Sequence, residues 1–227
     1  IALWCGNNEI EVAWNNWGWQ KQFGYSSEDS TEIWNNYKSI FEEMIPELVK
    51  EYTSTSYTST SPQSNWGTKE NFNHSSMHYW GVWHGKEPFT NFTSNVGRFM
   101  VEYGFQSFPE LSTLKKVMSD SSLSLTSSAM KNRQKSYIGN GLILEHIKRN
   151  FKEPNNFEEF IILSQETQAK AMQIAIQAHI KKQPHCMGSL FWQLNDCWPG
   201  PSWSVIDYYG EEKQAYNVVK MEYSTHP

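Results

Sequence analysis

Five short apolar runs alternate with longer stretches of helical periodicity along this chain. The strand candidates are Ile1–Gly6, the first half of the Ser/Thr tract at 52–62, Met77–Gly85, Arg98–Phe105 and Cys186–Leu194. Helical patterns occupy roughly 29–48, 109–118, 131–150, 157–182 and 212–222. Asp29 with Glu32 reads as a capping box opening the first. In the fourth, Phe160, Leu163, Thr167, Ala171, Ile174 and Ala178 share one face. Strand-then-helix order is what a parallel sheet with helical crossovers produces. Glu9 and Glu102, each closing an apolar run, lie 93 residues apart. That is three units of about 31 residues, the average of an eight-unit β/α barrel. A doubly wound sheet has similar units, so the spacing alone leaves both open.

The length of 227 residues suits one domain with a real core, slightly short for a complete barrel. Five strands rather than eight, and an opening at Ile1 without Met, predict a piece of something longer with an α/β fold. Residues 1–227 are read as a single catalytic domain on this basis. A net charge of −5 gives no basic face for a phosphate backbone, which excludes nucleic acid as a partner. No run approaches the ~20 apolar residues of a membrane span, so no membrane partner is expected. Three cysteines without a Cys-x-x-Cys pair support no disulfide framework, although one bridge stays open, and Cys5 reads as a small buried hydrophobe. Asn73 and Asn91 head glycosylation tripeptides of a kind common by chance.

Aromatic residues make up 15% of the chain, with eleven Trp. Several of these, among them Trp17, Trp66, Trp83 and Trp192, sit beside Gly, Asn, His or Glu rather than in aliphatic runs. A flat ring flanked by polar groups suits the C–H face and hydroxyls of a sugar; an aromatic core with aromatic-rich loops is the competing explanation. Glu9 and Glu102 at strand ends fit the pair of carboxyls that glycoside hydrolysis requires. Taken singly, Glu9 could merely cap a turn and Glu102 make a rim ion pair. His74 and His78, four apart, have the offset of metal ligands on a helix, but no third ligand accompanies them and no metal site is expected.

Several segments resemble glycoside hydrolase family 2, in its β-mannosidase branch. Trp4-Cys5-Gly6-Asn7-Asn8-Glu9 resembles the acid/base motif that ends barrel strand four. Arg98 to Ser107, around Glu102, resembles the nucleophile motif of strand seven. Gly188 to Trp203, with Trp192, is similar to the strand-eight segment. Trp14 to Trp19 and His78 to Gly85 are mannosidase-like as well. Val101 departs from the family, which usually carries Ser there, and strands one to three with the N-terminal β-domains have no counterpart.

The resemblance implies retaining hydrolysis of a terminal β-mannosyl residue. Glu102 would be the nucleophile, Glu9 the acid/base, Asn8 the partner of the sugar 2-hydroxyl and Trp192 the stacking platform, followed by a cis peptide. Trp17 and Trp66 would line the rim, with Trp83 and His84 as further substrate contacts; a structural hydrogen bond is the other reading of His84. No cofactor is implied. A β-mannoside oligosaccharide is the expected partner, the rest of the parent chain or another copy would complete the barrel, and an extracytoplasmic location is expected. β-Galactosidase, β-glucuronidase and exo-glucosaminidase activity are the alternatives, as is an inactive or merely sugar-binding segment.

Overall fold

The computed structural model describes residues 1–67 and 72–225. It is a mixed α/β chain with short parallel pairings and many helices. It divides into two compact units, residues 1–78 with 97–101, and residues 79–96 with 102–227.

In the first unit, β1 (Trp4–Cys5) pairs in parallel with β2 (Tyr57–Thr58), and the pairing continues as a bridge between Asn8 and Ser61. A second sheet has the order β3 (Ser64–Asn65), β4 (Ser76–His78), β5 (Phe99–Glu102), with β3 and β4 parallel. Between β1 and β2 run α1 (Ile10–Asn16), α2 (Trp19–Gln22) and a long helical stretch. That stretch begins as α3 (Ser27–Lys38), passes through a π-helical segment (Ser39–Met44) and ends as α4 (Ile45–Tyr52). Pro46 has no amide proton to give the ladder, and the wider π turn lies immediately before it.

Three expectations are corrected here. The capping box of α3 is Ser26 with Asp29, one turn earlier than Asp29 with Glu32, because the Ser26 hydroxyl accepts from the Asp29 N–H. The helix runs past Pro46 to Tyr52, so the strand of the Ser/Thr tract starts only at Tyr57. The first strand is short and exposed, and Cys5 with it, rather than buried on both faces; its apolar residues lack a covering layer among the described residues.

The second unit is built around α9 (Phe157–Lys181), which packs against α5 (Asn91–Ser94), α8 (Gly139–Asn150) and α10 (Gln214–Thr225). Short helices α6 (Leu111–Lys115) and α7 (Ser128–Arg133) lie between. The stretch expected as one helix over 131–150 breaks at 134–138, a bend and turn between α7 and α8. The core is aromatic: Trp83, Phe92, Tyr103, Phe105, Phe108 and Phe160 are all fully buried. Edge-on packing joins Trp83 to Phe105 at 5.1 Å and Phe108 to Phe160 at 5.1 Å.

The buried face of α9 also carries Ser164, Gln165 and Gln168. Gln168 Nε2 donates to the carbonyls of Phe105 (2.9 Å), Trp203 (3.0 Å) and Ser204 (3.1 Å), and its Oε1 accepts from Ser107 Oγ. The helix thus supplies a donor to three loop carbonyls, of which that of Trp203 also accepts from Gln193 N at 3.3 Å. The segment 186–194 forms no strand: Trp192 N–H donates to Tyr103 O at 2.9 Å, Gln193 N–H donates to Trp203 O at 3.3 Å, and the Leu194 carbonyl accepts from Ile206 N at 2.9 Å, while Leu190 and Leu194 are exposed. Among the described residues, no helix is long and apolar enough to cross a membrane.

Candidate active site

In the first unit, the loop after β1 turns into α1 at Glu9. Glu9 adopts the left-handed region, φ 63° and ψ 4°. For a residue with a Cβ this costs of order 1–2 kcal/mol, and such strain concentrates at functional sites. Asn7 fixes the turn. Its Oδ1 accepts from Ile10 N (3.2 Å) and Thr60 Oγ1 (2.9 Å), while its Nδ2 donates to Ser59 O (2.8 Å). The Glu9 N–H donates to Ser61 O at 2.7 Å. A carboxyl at a chain reversal is thereby tied to the neighbouring strand from both sides.

The Glu9 side chain meets His78. His78 Nδ1 lies 2.7 Å from Glu9 Oε1, and His78 Nε2 lies 3.0 Å from Ser61 Oγ. The imidazole is fully buried and the carboxyl is 22% exposed. With Glu9 ionised, Nδ1–H donates to it and the Ser61 hydroxyl donates to Nε2. With Glu9 protonated, the acid can donate to Nδ1 while Nε2–H faces Ser61 Oγ. The row therefore accommodates either protonation state of Glu9 without leaving a buried polar atom unpaired.

His78 was not among the predicted site residues. It lies on β4 rather than sharing a helix face with His74, and both its ring nitrogens face the Glu9–Ser61 row.

Asn8 is exposed, held by its backbone bridge to Ser61. Trp17 is 47% exposed and packs edge-on against Trp19 at 6.2 Å. Trp66 is half-buried, its N–H donating to His78 O.

In the second unit, Glu102 is half-buried at the end of β5, and its carbonyl accepts from Tyr79 N at 2.8 Å. Its Oε2 accepts from Trp80 Nε1 at 3.3 Å. Trp80 is the second group missed from sequence. Its signal was the period of two from His78, which on a strand returns a side chain to the same face.

Trp83 is corrected: it is fully buried, its Nε1 donates to Ser136 Oγ at 3.1 Å, and Phe105 and Trp203 pack edge-on against it. It belongs to the aromatic core of this unit. His84 stacks on the exposed Tyr137 at 5.9 Å. Trp192 is 42% exposed and precedes a cis peptide to Gln193. A Cβ on Gly104 would lie 2.3 Å from the Trp192 carbonyl oxygen, so only glycine admits this approach.

Glu9 meets a buried imidazole and Glu102 a buried indole N–H; the comparisons lead to relatives of the glycoside hydrolase class. No protein-family model matches the chain. Beta-mannosidase B of Neosartorya fischeri is 32% identical over 232 residues, covering 96% of this chain and 27% of that protein. Beta-mannosidase B of Thermothelomyces thermophilus is 31% identical, covering 98% of this chain and 28% of that protein. The crystal structure of beta-D-mannosidase from Dictyoglomus thermophilum superposes with a TM-score of 0.85 at 31% identity, covering 98% of this chain and 26% of that one. Amycolatopsis orientalis exo-chitosanase shares the fold at a TM-score of 0.56, 18% identity and 74% of this chain. The chain is thus related over nearly its whole length to one part of the β-mannosidases, and it spans about a quarter of the length of the relatives it matches.

Proposed function

We propose that the protein carrying this chain is a retaining exo-β-mannosidase of glycoside hydrolase family 2, and that the chain corresponds to strands four to eight of its (β/α)8 barrel. Glu102 attacks the anomeric carbon of a terminal β-mannosyl residue and forms a covalent glycosyl intermediate. Glu9 protonates the departing oxygen and then takes a proton from the water that releases mannose. The mechanism requires the two carboxyls about 5–5.5 Å apart. Asn8 binds the sugar 2-hydroxyl, Trp192 stacks under the ring, and Trp17, Trp66 and His84 contribute the rim. The remaining barrel strands come from the rest of the parent chain or from a second copy.

The observation that carries this reading is the Glu9–His78–Ser61 row. A carboxyl that must be an acid in one step and a base in the next needs a partner able to give or take a hydrogen bond, and an imidazole is one.

Turnover of a panel of aryl β-glycosides tests the assignment: β-mannoside is the preferred substrate, and no preference for it overturns the reading. Glu102→Ala abolishes turnover. Glu9→Ala spares activated leaving groups far more than poor ones, since only the latter need the proton. Near-normal activity of the Glu102 variant refutes the nucleophile assignment.

A further inference from the structure

An open cleft of about 580 Å³ lies on the first unit, within the size range of small-molecule sites. Glu11, Asn15 and Asn16 of α1 line it, with Glu42 of the π segment and Gln63 and Asn65 at β3. Only two of its lining residues, Val12 and Pro62, are apolar. Four amides and two carboxyls in one concavity offer donors and acceptors in pairs, the complement of adjacent hydroxyls. Burial, with Glu42 beside it, raises the pKa of the Glu11 carboxyl. An aryl or alkyl group would bury these polar atoms without partners, which is costly.

The position of the cleft gives it a role. Glu9 is the residue from which α1 starts, and Asn15 and Asn16 end that helix, about 10 Å further along its axis. A general acid sits on the side of the scissile bond from which the leaving group departs.

We infer that this cleft receives the first sugar of the leaving group, a hydroxylated pyranose whose ring hydroxyls bond to the Asn15, Asn16 and Glu11 side chains. This assignment rests on the function proposed above. It makes the enzyme selective for oligosaccharides over simple aryl mannosides, a property of α1 and not of the catalytic carboxyls.

The test uses the protein with its full natural chain and two substrates, a β-mannosyl-mannose disaccharide and 4-nitrophenyl β-mannoside. Asn15 and Asn16 are exposed, so the double variant Asn15→Ala/Asn16→Ala keeps its fold. Its kcat/KM for the disaccharide falls roughly tenfold, the worth of one to two hydrogen bonds, while that for the aryl mannoside falls less than about twofold. Equal losses on both substrates, or no loss on the disaccharide, overturn the cleft assignment and leave the catalytic reading standing. An unaltered protein that hydrolyses neither substrate overturns the catalytic reading and this assignment with it.

Discussion

His78 holds the Oε1 of Glu9 at 2.7 Å through a ring that solvent does not reach. The pair is separated by 69 residues in sequence and joined through Ser61, which bridges to Asn8 and meets the His78 ring. His78→Phe keeps the ring volume and removes both nitrogens. The expected result is a loss of roughly tenfold or more in kcat/KM on substrates with poor leaving groups, with a displaced limb in the pH–rate profile. His78→Asn recovers part of the loss, since an amide can still donate toward Glu9. A pH profile identical to that of the unaltered enzyme would reduce His78 to a packing residue.

Gly104 sits where the backbone of 103–105 runs against the Trp192 carbonyl. Its φ lies outside the left-handed region, so the constraint is space alone. Gly104→Ala forces the two segments apart and costs about 1–3 kcal/mol, the usual range for overpacking. The midpoint of urea unfolding reads this directly. Because the shift moves Trp192, KM for mannosides rises in the same variant.

Gln168 serves three carbonyls and one hydroxyl from a single amide. Gln168→Leu retains much of the volume but leaves the Phe105, Trp203 and Ser204 oxygens without that donor. A loss of about 2–4 kcal/mol in unfolding free energy is expected, above that of an ordinary surface change. A loss below about 0.5 kcal/mol would show that the loops find other donors.

Two histidines give the stability of this chain an acid limb. Burial lowers the pKa of His179 to about 3 and that of His146 to about 4, with Arg149 adding to the latter. In the unfolded chain both titrate near 6.5. A depressed folded pKa means the unfolded state binds more protons, so stability is complete above pH ~6.5 and falls as the pH drops toward 4 and then 3. The His146 ring lies 4.7 Å from Phe89 and 4.8 Å from Phe105, and neither nitrogen has a hydrogen-bond partner among the described residues. His146→Phe therefore flattens the fall of Tm between pH 6.5 and 4, while the unaltered chain shows the full slope.

Where the apolar runs end was more legible in the sequence than the architecture around them. Glu9 and Glu102 each close an apolar run, and strand ends are visible as the point where polar residues begin. The long α9 was legible within a residue because twenty-five residues of helical period leave little ambiguity. Its buried face was less so, since Ser164, Gln165 and Gln168 look solvent-facing until the loop carbonyls they serve are known. Trp83 and Trp80 show the same limit. Both lie in one aromatic run, and only the turn that begins at Gly81 decides which ring joins the core and which meets a carboxyl. His78 read as half of a metal pair because a spacing of four suits a helix, and the strand register that brings it to Glu9 is a tertiary fact.

Asn7 reaches across to Ser59 and Thr60, and Glu9 hangs its amide on Ser61. All three partners belong to a Ser/Thr tract that repeats Tyr-Thr-Ser-Thr-Ser and resembles low-complexity filler. A saturation map of this protein should therefore score that tract as an active-site region: substitutions at Thr60 or Ser61 will surface as lost turnover in a folded, expressed protein.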